Sequence, residues 1–242
     1  MCKYVADELR NSVPIIDRLC SNSATGYGND LDLYLHSLVP RDCLSIGYFL
    51  ACVIMSFRGV FKVTLYGCFV GDIGIKILMQ SLCRNLDEHP HHKTGQLKLY
   101  FNSNNITNEG ISYITEVLKS TSALRRLSLS DNFIGDGGLL KIAEAMTNNT
   151  SLVKLKLSWS SLWITEENGA ALVKMLQCNK TLAILDLSYN SAISDAQLPC
   201  IIEGLNKNTT LKQLRLSGCN ITDGGLRLLQ SCTSTCKIIM KS

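Results

Sequence analysis

The chain has no apolar segment long enough to cross a bilayer. An uncharged run of 15 residues lies between Asp42 and Arg58, short of the roughly 20 that a spanning helix needs. A signal peptide is not expected either, because Lys3, Asp7, Glu8 and Arg10 stand where one would place an apolar stretch. The motifs GxxxxGK[ST], HExxH, GxSxG and CxxC do not occur, so phosphate-loop, metalloprotease, serine-hydrolase and dithiol chemistry have no candidate residues. Cys232 and Cys236 are one residue too far apart for the redox or zinc spacing. The 11 cysteines show no paired framework, which points to reduced thiols and a cytoplasmic setting. A net charge of +4 is too mild to indicate nucleic acid.

What the chain has is repetition. LRRLSLSDNFIGDGG begins at Leu124, LVKLKLSWSSL at Leu152, LAILDLSYNSAI at Leu182 and LKQLRLSGCNITDGG at Leu211, so the steps are 28, 30 and 29 residues. A fixed period in this range marks a solenoid. Upstream, QLKLYFNSNNITNEG and VFKVTLYGCFVGDIG fall in the same register, and LDLYLHSL is a worn first copy. The step from Val70 to Ile106 is 36. The surplus is most simply placed in the polar run from Arg84 to Gly95, which is expected to bulge from the solenoid. Residues 31–242 thus form one repeat domain of about seven units, and residues 1–30 read as a short helix and a flexible linker.

Each unit carries its own folding instructions. The L-x-L pair suits a short strand whose alternate residues face one way. A polar or small residue follows (Asn104, Asn132, Ser160, Asn190, with Cys68 and Cys219 in the same place), able to bond the backbone of the neighbouring turn. An aspartate before an apolar-periodic run (Asp72, Asp136, Asp223) is an N-cap signal. In the run LLKIAEAM, Leu139, Ile142, Ala143 and Met146 share one helical face. Glu166 and Glu167 mark another helix start. No unit can bury its own leucines. Stacked, the strands form a parallel sheet with helices over its outer face. The fold class is therefore α/β, a horseshoe with a concave parallel β-sheet and convex helices.

The phrase LxxLxLSxNxIxDxG, the period near 28 and the alternation of Asn and Cys at the turn resemble the ribonuclease-inhibitor type of leucine-rich repeat. The opening LDLYLHSLVPRDCLSIGYFLAC followed by VTLYGCFVGDIG is similar to the repeat regions of NLR proteins, cytosolic nucleotide-binding leucine-rich-repeat receptors. This resemblance implies a non-catalytic protein-interaction module, a ligand-sensing or regulatory repeat region in innate immunity. Two alternatives use the same repeats. A GTPase-activating protein of the nuclear-transport type would carry a long acidic tail, whereas this chain ends in KIIMKS. A ribonuclease-inhibitor-like protein would need a concave face shaped for a basic enzyme.

Several features read more simply as structure than as sites. Sequons at Asn105, Asn148, Asn149, Asn179, Asn208 and Asn220 arise where the repeat itself writes N-x-T or N-x-S. His89, His91 and His92 sit in the inserted run and read as solvated loop, and His36 reads as a turn residue. No catalytic, cofactor or metal residues are assigned. What remains is the strand face. Lys62, Lys98, Arg126 and Lys154 precede the L-x-L pair in four successive units, with Lys156 in the next column and Tyr66 and Tyr100 beside the row. These seven residues are the candidate site for an acidic protein or peptide, with neither nucleic acid nor membrane as partner.

Overall fold

A computed structural model describes residues 30–35, 60–88 and 96–240. Eight strands form one parallel sheet in sequence order: β1 (Asp30–Leu35), β2 (Val60–Leu65), β3 (Gln96–Tyr100), β4 (Leu124–Ser128), β5 (Lys154–Lys156), β6 (Ile184–Asp186), β7 (Gln213–Arg215) and β8 (Lys237–Ile239). Helices return the chain between them: α1 (Gly71–Glu88), α2 (Asn108–Ser120), α3 (Gly135–Thr147), α4 (Glu166–Cys178), α5 (Leu198–Lys207) and α6 (Asp223–Gln230). Each described helix packs on the next, so each repeat leans on its neighbours.

The core lies between sheet and helices. Leu97, Leu99, Leu127, Leu129, Leu155 and Leu157 are buried from the strand side, and Leu139, Ile142, Ala143 and Met146 from α3. Leu124 and Leu127 are spaced three apart, where the third unit has Leu97 and Leu99 two apart. The pairing of β3 with β4 absorbs the extra residue as a register shift: Leu97 faces Leu124 and Lys98 faces Arg126, leaving Arg125 unpaired in the ladder.

The asparagine after each strand ties one repeat to the one before. Asn132 Oδ1 accepts from the N–H groups of Asn104 and Ile106, both at 3.0 Å, while Nδ2 donates to the carbonyls of Phe101, Leu129 and Ser130. Asn104 and Asn190 repeat the arrangement, and Ser160 and Cys219 keep a single bond back to the previous unit. A second ladder, not anticipated from sequence, runs through the return loops. Asn149, Asn179 and Asn208 are buried, and their Nδ2 groups donate to Leu118, Met146 and Leu176 carbonyls of the preceding helices. Three of the six sequon asparagines are therefore inside the protein. In two others, at Asn105 and Asn220, the sequon threonine (Thr107, Thr222) is a helix N-cap.

Two expectations need correction. The run from Arg84 does not leave the helix at once, because α1 continues through Glu88. Leu82 and Leu86 are four apart and keep the helical period going. Beyond the seven repeats read from the sequence, Lys237–Ile239 adds an eighth strand, paired to β7. The aspartates do not cap their own helices. Asp72 lies inside the first turn of α1, and its carboxylate accepts from the N–H of Thr107, the hydroxyl of Thr107 and the N–H of Gly110, at the start of α2. Asp195 does the same for Thr222 and Gly225 at the start of α6. A Cβ on Gly110 would overlap Asp72 Oδ1, which explains the glycine. The N-terminal stretch, His36, the run Cys43 to Phe57 and the histidines at 89, 91 and 92 lie outside the described residues. No described helix is long and apolar enough to cross a membrane.

Candidate functional site

The strand residues that point away from the helices form columns across the sheet. Cα pairing puts Lys62 opposite Lys98, Lys98 opposite Arg126, and Arg126 opposite Lys154. Four cations therefore stand on four adjacent strands, with neighbouring strands roughly 4.8 Å apart. The column opens at Asp32 on β1 and runs on through Ile184, Gln213 and Lys237. Arg126 is exposed, while Lys62, Lys98 and Lys154 are half-buried.

The next column holds Thr64, Tyr100, Ser128, Lys156, Asp186 and Arg215. Tyr100 does more than flank the row: Lys62 Nζ lies 5.9 Å from its ring centroid, a cation–π contact. Tyr66 stands exposed one residue past β2. Asp186 is largely buried, and its carboxylate lies 3.8 Å from the Arg215 guanidinium, which offsets its charge. Burial lowers the pKa of Lys154 below its usual 10.5, and Lys156, Arg215 and Arg126 lower it further, against Asp186, which raises it. The row is thus a place of concentrated positive potential on a wall that focuses it.

The sequence reading missed one feature of this face. Trp159 and Tyr189 follow β5 and β6 at equivalent positions, both exposed, with ring centroids 4.6 Å apart and planes 9° from parallel. The available signal was their alignment with Gly67 and Gly218, where the repeat otherwise writes a small residue. Burial pushes the Cys200 and Cys219 thiols up and Cys236 to about 11, away from thiolate reactivity.

With register, asparagine ladder and helix caps in view, comparison with known proteins is decisive on the repeat class. The leucine-rich repeat model matches residues 97–114, 122–143 and 207–229. Ribonuclease inhibitor of Sus scrofa is 30% identical over 172 residues, covering 70% of this chain and 34% of the inhibitor. This is a leucine-rich-repeat protein of the ribonuclease-inhibitor type. It also resembles NLR repeat regions: NACHT, LRR and PYD domains-containing protein 3 of Rattus norvegicus is 29% identical over 187 residues, 76% of this chain and 17% of that protein. Among solved structures, the tropomodulin C-terminal domain of Caenorhabditis elegans aligns with a TM-score of 0.52 at 16% identity, over 71% of this chain and 93% of that domain, which speaks to the fold alone. The leucine-rich-repeat chain spans only part of the curated relatives' length, 34% of the inhibitor and 17% of the rat protein. Such repeats are interaction modules.

Proposed function

We propose that the chain is a non-catalytic, cytoplasmic binding module whose concave face docks an acidic protein or peptide. In this reading it serves as a ligand-sensing or regulatory repeat region of the NLR kind. The observation that carries it is the register of Lys62, Lys98, Arg126 and Lys154 on adjacent strands, where like charges held a few ångströms apart gain most from an anionic partner. Burial lowers the pKa of Lys154, and the cations Lys156, Arg215 and Arg126 around it lower it further. The similarity to ribonuclease inhibitor supports binding through this fold. A ribonuclease as partner is disfavoured, because a basic enzyme would meet a basic row.

Association is expected to be electrostatically steered, so its rate falls as salt rises. The test is stopped-flow binding of a labelled glutamate-rich peptide. Lys98→Glu with Arg126→Glu should slow association about tenfold or more, and Lys119→Glu with Lys174→Glu on the exposed helical side should barely change it. Equal slowing by both pairs would mean that net charge alone matters and that the row is not the site. The alternative GTPase-activating role is checked by hydrolysis with the nuclear-transport GTPase, where acceleration of about a thousandfold would replace this reading.

A further inference from the structure

The residue that follows each L-x-L-S segment or its equivalent has a left-handed backbone in six successive units: Gly67, Ser103, Asp131, Trp159, Tyr189 and Gly218, with φ between 56° and 66°. Glycine adopts this conformation freely, and short polar residues tolerate it better than bulky ones do. Two units supply glycine and two a short polar residue. Repeats five and six instead place a tryptophan and a tyrosine there, 59% and 44% exposed. Neither ring fills the core, so nothing in the packing of the repeat requires an aromatic at either position.

The surroundings are fitted to these rings. Trp159 and Tyr189 stack on each other. In the next unit Gly218 leaves room for the tyrosine, since a Cβ there would overlap its ring. Phe133 and Trp163, each 62% exposed, line the same groove of about 610 Å³ as Trp159 and Tyr189. The stack also borders a second groove, of about 490 Å³, that reaches Asp186, Arg215 and Lys237 on the concave face. Trp159 is three residues beyond Lys156 in the same unit, a distance on the order of 10 Å.

We propose that this aromatic rim seats one bulky apolar side chain of the same acidic segment that lies along the basic row. The inference rests on the function proposed above and specifies the partner: an acidic peptide with a phenylalanine or leucine within a few residues of its carboxylates. Four exposed aromatics lining one groove form the desolvating pocket in which such an anchor carries most of the affinity. A peptide fits better than a nucleic acid. Asp131 and Asp186 line the grooves on either side of the stack, and a phosphate chain is charged at every unit, whereas a peptide places its acids only opposite the lysines.

The protein carries its own reporter, since Trp159 and Trp163 are its two tryptophans. Three short tryptophan-free peptides are compared by fluorescence anisotropy and by tryptophan emission. One is glutamate-rich with a single phenylalanine, the second has alanine in its place, and the third keeps the phenylalanine but has glutamine for every glutamate. The first should bind about tenfold tighter than the second and shift tryptophan emission to the blue. That advantage should vanish in Trp159→Ala and in Tyr189→Gly, the latter being the residue the backbone itself prefers. Equal binding of the first two peptides overturns the anchor while leaving the basic row standing. If the glutamine peptide binds as well as the glutamate one, the acidic partner and the basic-row reading fail together. Tighter binding of a single-stranded RNA of equal charge would overturn the inference as well.

Discussion

Asn132 and Lys156 lie close together in the structure yet answer to different demands. Asn132 is 2% exposed and makes five hydrogen bonds to backbone groups of two repeats. Asn132→Leu leaves those groups buried and unpaired, and each costs about 1–3 kcal/mol, so a loss of about 3 kcal/mol or more is expected in urea denaturation. Lys156→Ala should cost under about 0.5 kcal/mol. Lys154 is different again. Its folded pKa is lowered by burial and by neighbouring cations, so below that pKa the folded state carries a penalty for keeping the amine charged. The penalty is relieved as pH rises from the folded pKa toward the usual 10.5. Lys154→Met should therefore leave thermal stability at neutral pH unchanged or raised, and a lowered melting temperature would contradict the assignment. A lowered pKa also leaves more neutral amine, so Lys154 should acylate at a pH below the usual lysine range in the free protein. The asparagines of the strand turns were legible in sequence because they recur at the period of the leucines. Trp159 and Tyr189 were not, since a left-handed backbone makes no mark on the sequence except where glycine occupies it.

At the scale of elements, strands and helices were legible because each buries one face and so repeats its apolar spacing, as Leu139, Ile142 and Met146 do in α3. The connections between repeats were hidden, because a hydrogen bond between residues 27 or 35 apart has no local signature. Asp72 looked like the cap of its own helix, yet it caps the helix of the following unit, and Asp195 does the same for α6. Asp72→Ala should cost about 1–2 kcal/mol, lost from α2 and visible as faster amide exchange at Gly110, with the start of α1 unaffected. Bonds from the Thr222 hydroxyl, the Thr222 N–H and the Gly225 N–H lower the pKa of Asp195. A depressed carboxylate stabilises the fold above its unfolded pKa, and that contribution disappears as pH falls through the folded value. The start of α6 should therefore loosen in acid, and Thr222→Val should remove most of that pH dependence. A slope unchanged in Thr222→Val would mean that the bond contributes nothing.

For the molecule as a whole, the solenoid turns a one-dimensional period into a two-dimensional array. Lys62 and Lys154 are 92 positions apart in sequence, yet they sit three strands apart in one column. That column was readable once the register was known. The aromatic rim beside it was not, because it depends on a backbone turn. The central claim is that this face is where a partner docks, and lysine footprinting measures it most directly. The protein is acylated with and without a saturating glutamate-rich peptide, and each site is quantified by mass spectrometry. Protection should fall on Lys62, Lys98, Lys154 and Lys156, with Lys119 and Lys174 labelling as in the free protein. Protection of Lys119 and Lys174 instead, with the strand lysines still reactive, would place the partner on the helical side and contradict the account.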